Sequence, residues 1–153
     1  MDEDSSYFQA KKEMVRVEHL IFVSLKYSRT VDVIKSVVKR LISTFDLAIT
    51  AALEAKLKPN ELKAALHGPK TMRDTMVREY PEAKKFMDFY RFLRELDKAN
   101  VKSRLNEFRR HVTLVADVDQ KEQNVKIETV EEYYEKAQEF LELTKSLIEK
   151  EKK

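Results

Sequence analysis

The sequence predicts an all-α fold: an antiparallel bundle of four to five helices led by two long N-terminal ones, with a short β-hairpin or a loop near residues 112–127. Three observations predict it. Apolar residues recur with a period near 3.6 over most of the 153 residues, the spacing of helices that bury one face. The only glycine, Gly68, and the three prolines, Pro59, Pro69 and Pro81, sit in the middle, so both ends of the chain are free of helix breakers. Residues suited to helix caps stand at the starts of the periodic stretches. The length supports about one core, so residues 1–153 are expected to form a single domain.

In the first stretch, Ala10, Met14, Val17, Ile21 and Leu25 form one stripe, with Ser5 and Ser6 as N-caps. A break at Ser28-Arg29-Thr30 follows. Thr30 caps the second helix and Asp32 sits in its electropositive first turn. Ile34, Val38, Leu41, Phe45, Ala48 and Ala52 carry that helix to about Lys56, and Val37, Ile42, Ile49 and Leu53 widen its stripe. It is therefore expected to be the most buried element, antiparallel to the first.

One or two short helices are expected between Lys58 and Tyr80, the second from near Thr71. Pro81 opens the next helix, whose stripe is Phe86, Phe89, Tyr90, Leu93 and Leu96. The last helix is expected to start at a capping box of Thr129 and Glu132, with the stripe Val130, Tyr133, Ala137, Phe140, Thr144 and Leu147. Val112, Leu114, Ala116 and Val118 alternate, as do Val125 and Ile127, which suits a hairpin around Asp119–Asn124 as well as a loop.

Composition excludes several chemistries. One glycine excludes a P-loop and a G-x-G-x-x-G turn, and argues against tight two-residue hairpins, since these favour backbone that glycine tolerates best. The chain has no cysteine, hence no disulfide, thiolate metal site or cysteine nucleophile. No stretch reaches the roughly 20 apolar residues of a membrane span. Asp2, Glu3 and Asp4 precede the short run Leu20–Val23, the wrong pattern for a secretory leader. A cytoplasmic protein away from membranes is expected. Its Lys and Glu richness resembles that of hyperthermophile proteins.

His19, His67 and His111 form no H-x-x-x-H pair, and Glu131, Glu135, Glu139 and Glu142 lack the Glu-x-x-His partners of carboxylate-bridged metal sites. No metal and no cofactor are expected, and the glutamates read as a solvated helix face. A serine-nucleophile elbow is absent. The loop His67-Gly68-Pro69-Lys70 is explained by ordinary capping as well as by anion binding.

Positive charge is more telling. Lys+Arg number 30 against 27 Asp+Glu, a net of +3, yet the cations cluster. Arg91, Arg94 and Lys98 share a helix face with Lys84, and Lys102, Arg104, Arg109, Arg110 and His111 follow, interrupted by Glu107. Phosphate binding requires local rather than net charge, so Arg91, Arg94, Lys98, Lys102, Arg104, Arg109 and Arg110 are candidate contacts to RNA or another polyanion. Phe92 and Phe108 interleave with them as candidate stacking groups. The ordinary alternative is a solvated helix face.

This layout resembles the HEPN superfamily of small helical bundles. The long pair Ser5–Arg29 and Thr30–Lys56, the Phe86–Lys98 helix, and an arginine and histidine before a closing helix that begins Ile127-Glu128-Thr129-Val130-Glu131-Glu132-Tyr133-Tyr134-Glu135 carry the resemblance. The family's nuclease motif is an arginine and a histidine with four to six residues between them, and Arg104 and His111 have six between them. The resemblance implies metal-independent RNA cleavage from a dimer, with Arg104 holding phosphate and His111 assisting proton transfer. A helical seven-residue step would put both on one face. Leu105 departs from the polar residue usual after the arginine.

Three readings follow: an RNA- or polyanion-binding module, a ribonuclease using Arg104 and His111, and a non-catalytic protein-interaction module. For the last, Tyr27, Tyr80, Tyr90, Tyr133 and Tyr134 are the candidate contact residues. A homodimer or a protein partner suits the last two.

Overall fold

The computed structural model describes residues Ser5–Lys153. Asp2, Glu3 and Asp4 lie outside the described residues. The protein is mostly helical, with one small antiparallel sheet.

Helix α1 (Ser6–His19) starts where the Ser5 hydroxyl accepts a hydrogen bond from the Phe8 N–H at 3.1 Å. It runs into a π-helical turn, Leu20–Ser24, and a last α-turn, α2 (Leu25–Tyr27). The expected break at Ser28–Thr30 follows, and α3 (Val31–Glu54) begins with Thr30 capping the Val33 N–H. Thirteen α3 residues are buried, more than in any other described element. They include both the predicted stripe and the residues that widen it, because other helices cover α3 on several sides.

Side-chain ties fix the helix directions. Ser6 at the start of α1 donates to Glu54 at the end of α3 at 3.1 Å, so the two run antiparallel. Helix α4 (Pro59–Ala65) and helix α5 (Pro69–Glu79) fill the middle. The second begins at Pro69 rather than near Thr71, since proline suits the first helical position. Pro81 opens a 3-10 turn (Pro81–Ala83) that continues into α6 (Lys84–Lys98). Tyr80 donates to the Ala52 carbonyl and Lys39 pairs with Asp97, so α6 returns along α3 in the opposite direction.

Helix α7 (Ile127–Glu151) closes the chain. Tyr134 near its start bonds Glu18 late in α1, so it is antiparallel to α1. The helix begins two residues before the predicted cap. Thr129 lies inside its first turn, and its hydroxyl accepts from the Lys126 N–H at 3.1 Å. At the centre Phe45 stacks on Phe140 at 4.7 Å between ring centroids and on Tyr90 at 5.9 Å, joining α3, α6 and α7.

Within the 112–127 region Thr113–Val125 is a hairpin, while Ile127 opens α7, and the hairpin belongs to a three-stranded sheet ordered β1 (Ser103–Leu105), β2 (Thr113–Val118), β3 (Lys121–Val125). Strand β1 is an addition to the predicted all-α fold. Three residues cannot display alternation, and pairing with β2, Arg104 opposite Leu114, makes them a strand. The hairpin turn corrects the expectation drawn from the glycine count. Val118 pairs with Lys121, leaving Asp119 and Gln120 as a two-residue turn with φ of 52° and 66°. Asp tolerates this left-handed backbone better than most residues, and a tie to α6 holds Asp119 in place.

Candidate functional site

The segment between β1 and β2 is not helical. Arg104 lies in β1, whereas residues 106–112 form a looped turn that docks on the α2–α3 corner. The Phe108 N–H donates to the Arg29 carbonyl at 2.6 Å, and the Glu107 carboxylate accepts from the Val31 N–H at 3.2 Å. Glu107 thereby satisfies a free donor at the positive end of α3. Asn106 and Phe108 adopt positive φ, 55° and 68°, to make the turn.

The fold separates the predicted cations into two sets. Arg91 forms a two-point pair with Asp119, both contacts at 3.0 Å, and its guanidinium holds that carboxyl below the usual carboxylate range. Arg94 donates to the Tyr90 hydroxyl at 3.3 Å and lies 3.9 Å from Asp46. Lys102 sits 3.4 Å from Glu122 and 3.7 Å from Asp117. Arg104 donates to Asp32 at 3.1 Å and lies 4.0 Å from Glu107. These four already have acidic or hydroxyl partners within the fold.

Lys98, Arg109 and Arg110 form the other set, exposed and without an ion pair among the described residues. Arg109, Arg110 and His111 are consecutive in the docked loop, and Lys98 stands apart at the end of α6. No hydrogen bond joins Arg104 to His111, and the one-face arrangement expected of a helix is absent because the segment is strand and turn.

A feature the charge pattern missed lies partly at the same corner, with Val15 apart from it on the α1–α7 groove. The exposed large apolar side chains among the described residues are Val15, Phe22, Val23, Tyr27, Leu105 and Phe108. Four lie on the outer side of α1 and its continuation, and two on the strand and loop that the Phe108–Arg29 hydrogen bond pins to its end. Tyr27 is 81% exposed and Phe108 77%. Phe92, by contrast, is half-buried against Phe89 and Tyr133. Tyr80, Tyr90, Tyr133 and Tyr134 are buried, leaving Tyr27 alone of the five candidate contact tyrosines open to solvent.

The run Leu20-Ile21-Phe22-Val23 was the available signal, since a helix cannot hide four consecutive apolar residues on one face. The π turn inserts a residue there and keeps Ile21 and Leu25 buried while Phe22 and Val23 stay exposed. Such turns recur at functional sites.

Lys26, Arg29 and Arg110 line a cleft at this corner, of about 340 Å³, together with Ile21, Phe22 and Ile127. None of the three cations has an ion pair among the described residues, and the Arg29 Nε is buried without a hydrogen-bond partner. The nearby acids Asp32 and Glu107 are engaged by Arg104 and by the start of α3. No group of three or more His, Asp or Glu among the described residues is placed to hold a metal ion, and no described helix is long and apolar enough to cross a membrane.

Set against protein-family models, curated proteins and solved structures, the chain matches none.

Proposed function

We propose that this chain is a non-catalytic module that binds single-stranded RNA or a similar polyanion at the α2–α3 corner, a refinement of the HEPN-like helical-bundle reading. One observation carries it: exposed Phe22, Tyr27 and Phe108 stand at one corner with unpaired Lys26, Arg29, Arg109 and Arg110. Aromatic faces accept any base and flanking cations track the phosphates, the combination that non-sequence-specific single-strand binding uses. The α6 face contributes less, since Arg91 and Arg94 are occupied by Asp119, Tyr90 and Asp46. Cleavage by Arg104 and His111 has weaker support, because Arg104 is occupied by Asp32 and Glu107.

The test is fluorescence anisotropy on labelled single-stranded RNA in EDTA across a salt series. Changing Arg109→Ala and Arg110→Ala together should weaken binding and lower the log–log salt slope by about 1.4, at about 0.7 per phosphate contact. Phe108→Ser should weaken binding about 5- to 150-fold, the range for losing one stacked base. Arg91→Ala serves as the control that changes little. An unaltered slope in the double variant would sink the proposal.

A second reading has its own observation. Val15, Val23 and Leu105 are exposed aliphatic groups with no task in base stacking, and exposed apolar surface of this kind suits a protein-interaction face. Val15→Asp and Val23→Asp would then abolish self-association or partner capture and leave RNA binding intact.

A further inference from the structure

Resting on that reading, we infer that the cleft bordered by Lys26, Arg29 and Arg110 takes a terminal phosphate, so that the module prefers strands ending in a phosphomonoester. The charge count drives the argument. Three cations border one small cleft with no carboxylate on its lining. An internal phosphodiester brings one negative charge, which leaves most of that excess unanswered. A phosphomonoester brings about −1.5 to −2 near neutral pH and three acceptor oxygens.

The walls fit the remainder of a terminal nucleotide. Ile21 and Leu25 form a buried apolar floor, while Phe22, 53% exposed, and Ile127 present apolar surface beside the cations. The cleft volume of about 340 Å³ falls within the range of small-ligand sites. Arg29 adds an independent pointer. Its Nε–H is buried and bonded to nothing in the fold, so the side chain is committed to no other partner. Its guanidinium suits two-point contact to a phosphate.

Other grooves lack this imbalance. The groove between α1 and α7 sets Glu18 and Glu142 beside Lys11 and Lys145, so its charges cancel. Backbone ties hold the cleft in shape: the Phe108–Arg29 hydrogen bond fixes the loop that carries Arg110 against the end of α2.

The experiment compares one RNA sequence in three forms, with a 5′-phosphate, with a 3′-phosphate, and with hydroxyls at both ends, on the full chain. At least one phosphorylated form should bind about tenfold tighter, equivalent to about 1.4 kcal/mol. The two phosphorylated arms identify which end is held. Lys26→Gln and Arg110→Gln should each cut the ratio of phosphorylated to hydroxyl-ended affinity, beyond any loss that both forms share, and unchanged circular dichroism would show both variants folded. Equal affinity for all three forms overturns the terminal-phosphate assignment and leaves RNA binding standing. No binding to any form overturns both.

Discussion

Arg91 and Asp119 are joined by two parallel hydrogen bonds, each 3.0 Å, that tie the exposed side of α6 to the tip of the β2–β3 hairpin. An arginine that reads from sequence as a phosphate contact thus serves the fold. It holds Asp119 in a turn where two consecutive non-glycine residues have positive φ.

Gln120→Gly should therefore stabilise the protein. Gln120 takes φ 66° without glycine's tolerance for it, and Asp-Gly is a preferred pair for such a turn. Relief of the left-handed strain, less the extra chain entropy of glycine, leaves a gain of about 0.5–1 kcal/mol. Urea unfolding would show a higher midpoint with an unchanged slope, and a lower midpoint would contradict the turn geometry.

How far the sequence was legible depended on how local the cause was. Ser5 and Thr30 act through neighbours three residues away, and the helices they start were readable from pattern alone. Strand β1 and the 106–112 turn were not. Their conformation is imposed from a distance, by Val115 accepting from the Lys102 N–H and Arg29 accepting from the Phe108 N–H. The basic cluster was visible as composition, but its division into engaged and free cations was hidden. Among the acids that engage it, Asp32, Asp46 and Asp119 come from three separate segments. At the corner, Phe108 was legible and the share of Lys26 and Arg29 was not, since it needs the loop docked on the helix end.

Asp46 supplies a pH-dependent prediction. Burial raises its carboxyl above the usual 3.8, against the opposing pull of the Tyr90 hydroxyl and Arg94. A folded pKa above the unfolded one means its contribution to stability is present below the unfolded value and is lost as pH rises through the folded value. Asp46→Asn keeps an acceptor for Tyr90 and carries no charge. Its stability relative to the parent should improve from about pH 3 to about pH 7. Urea midpoints measured at both ends of that range decide it, and a constant difference would mean Asp46 is not the titrating group.

The buried tyrosines set the alkaline limit. Burial pushes Tyr80 and Tyr133 up to about 12, and Tyr7, Tyr90 and Tyr134 are also raised from 10.0. Raised pKa values stabilise the fold below the unfolded value, and that contribution disappears as pH climbs from 10.0 through about 12. Tyrosinate absorbance from these five should therefore appear together with the loss of near-ultraviolet circular dichroism. Gradual ionisation of all five with tertiary structure intact would contradict their burial.

Phe108 combines two features that a purely structural residue would not keep. It is 77% exposed, and its φ of 68° places a bulky side chain in backbone that favours glycine. Such strain persists where the surroundings enforce it, here through the 2.6 Å hydrogen bond from its N–H to Arg29. Phe108→Gly keeps that bond, removes the strain and gives up little burial, so stability should rise by about 0.5–1 kcal/mol. If Phe108 is a stacking group, the same change should weaken single-stranded RNA binding about 5- to 150-fold. The two readouts must then move in opposite directions, measured as the urea midpoint and the anisotropy titration on one preparation. Loss of stability would place Phe108 in the packing of the corner, and unchanged RNA affinity would remove it from the binding surface.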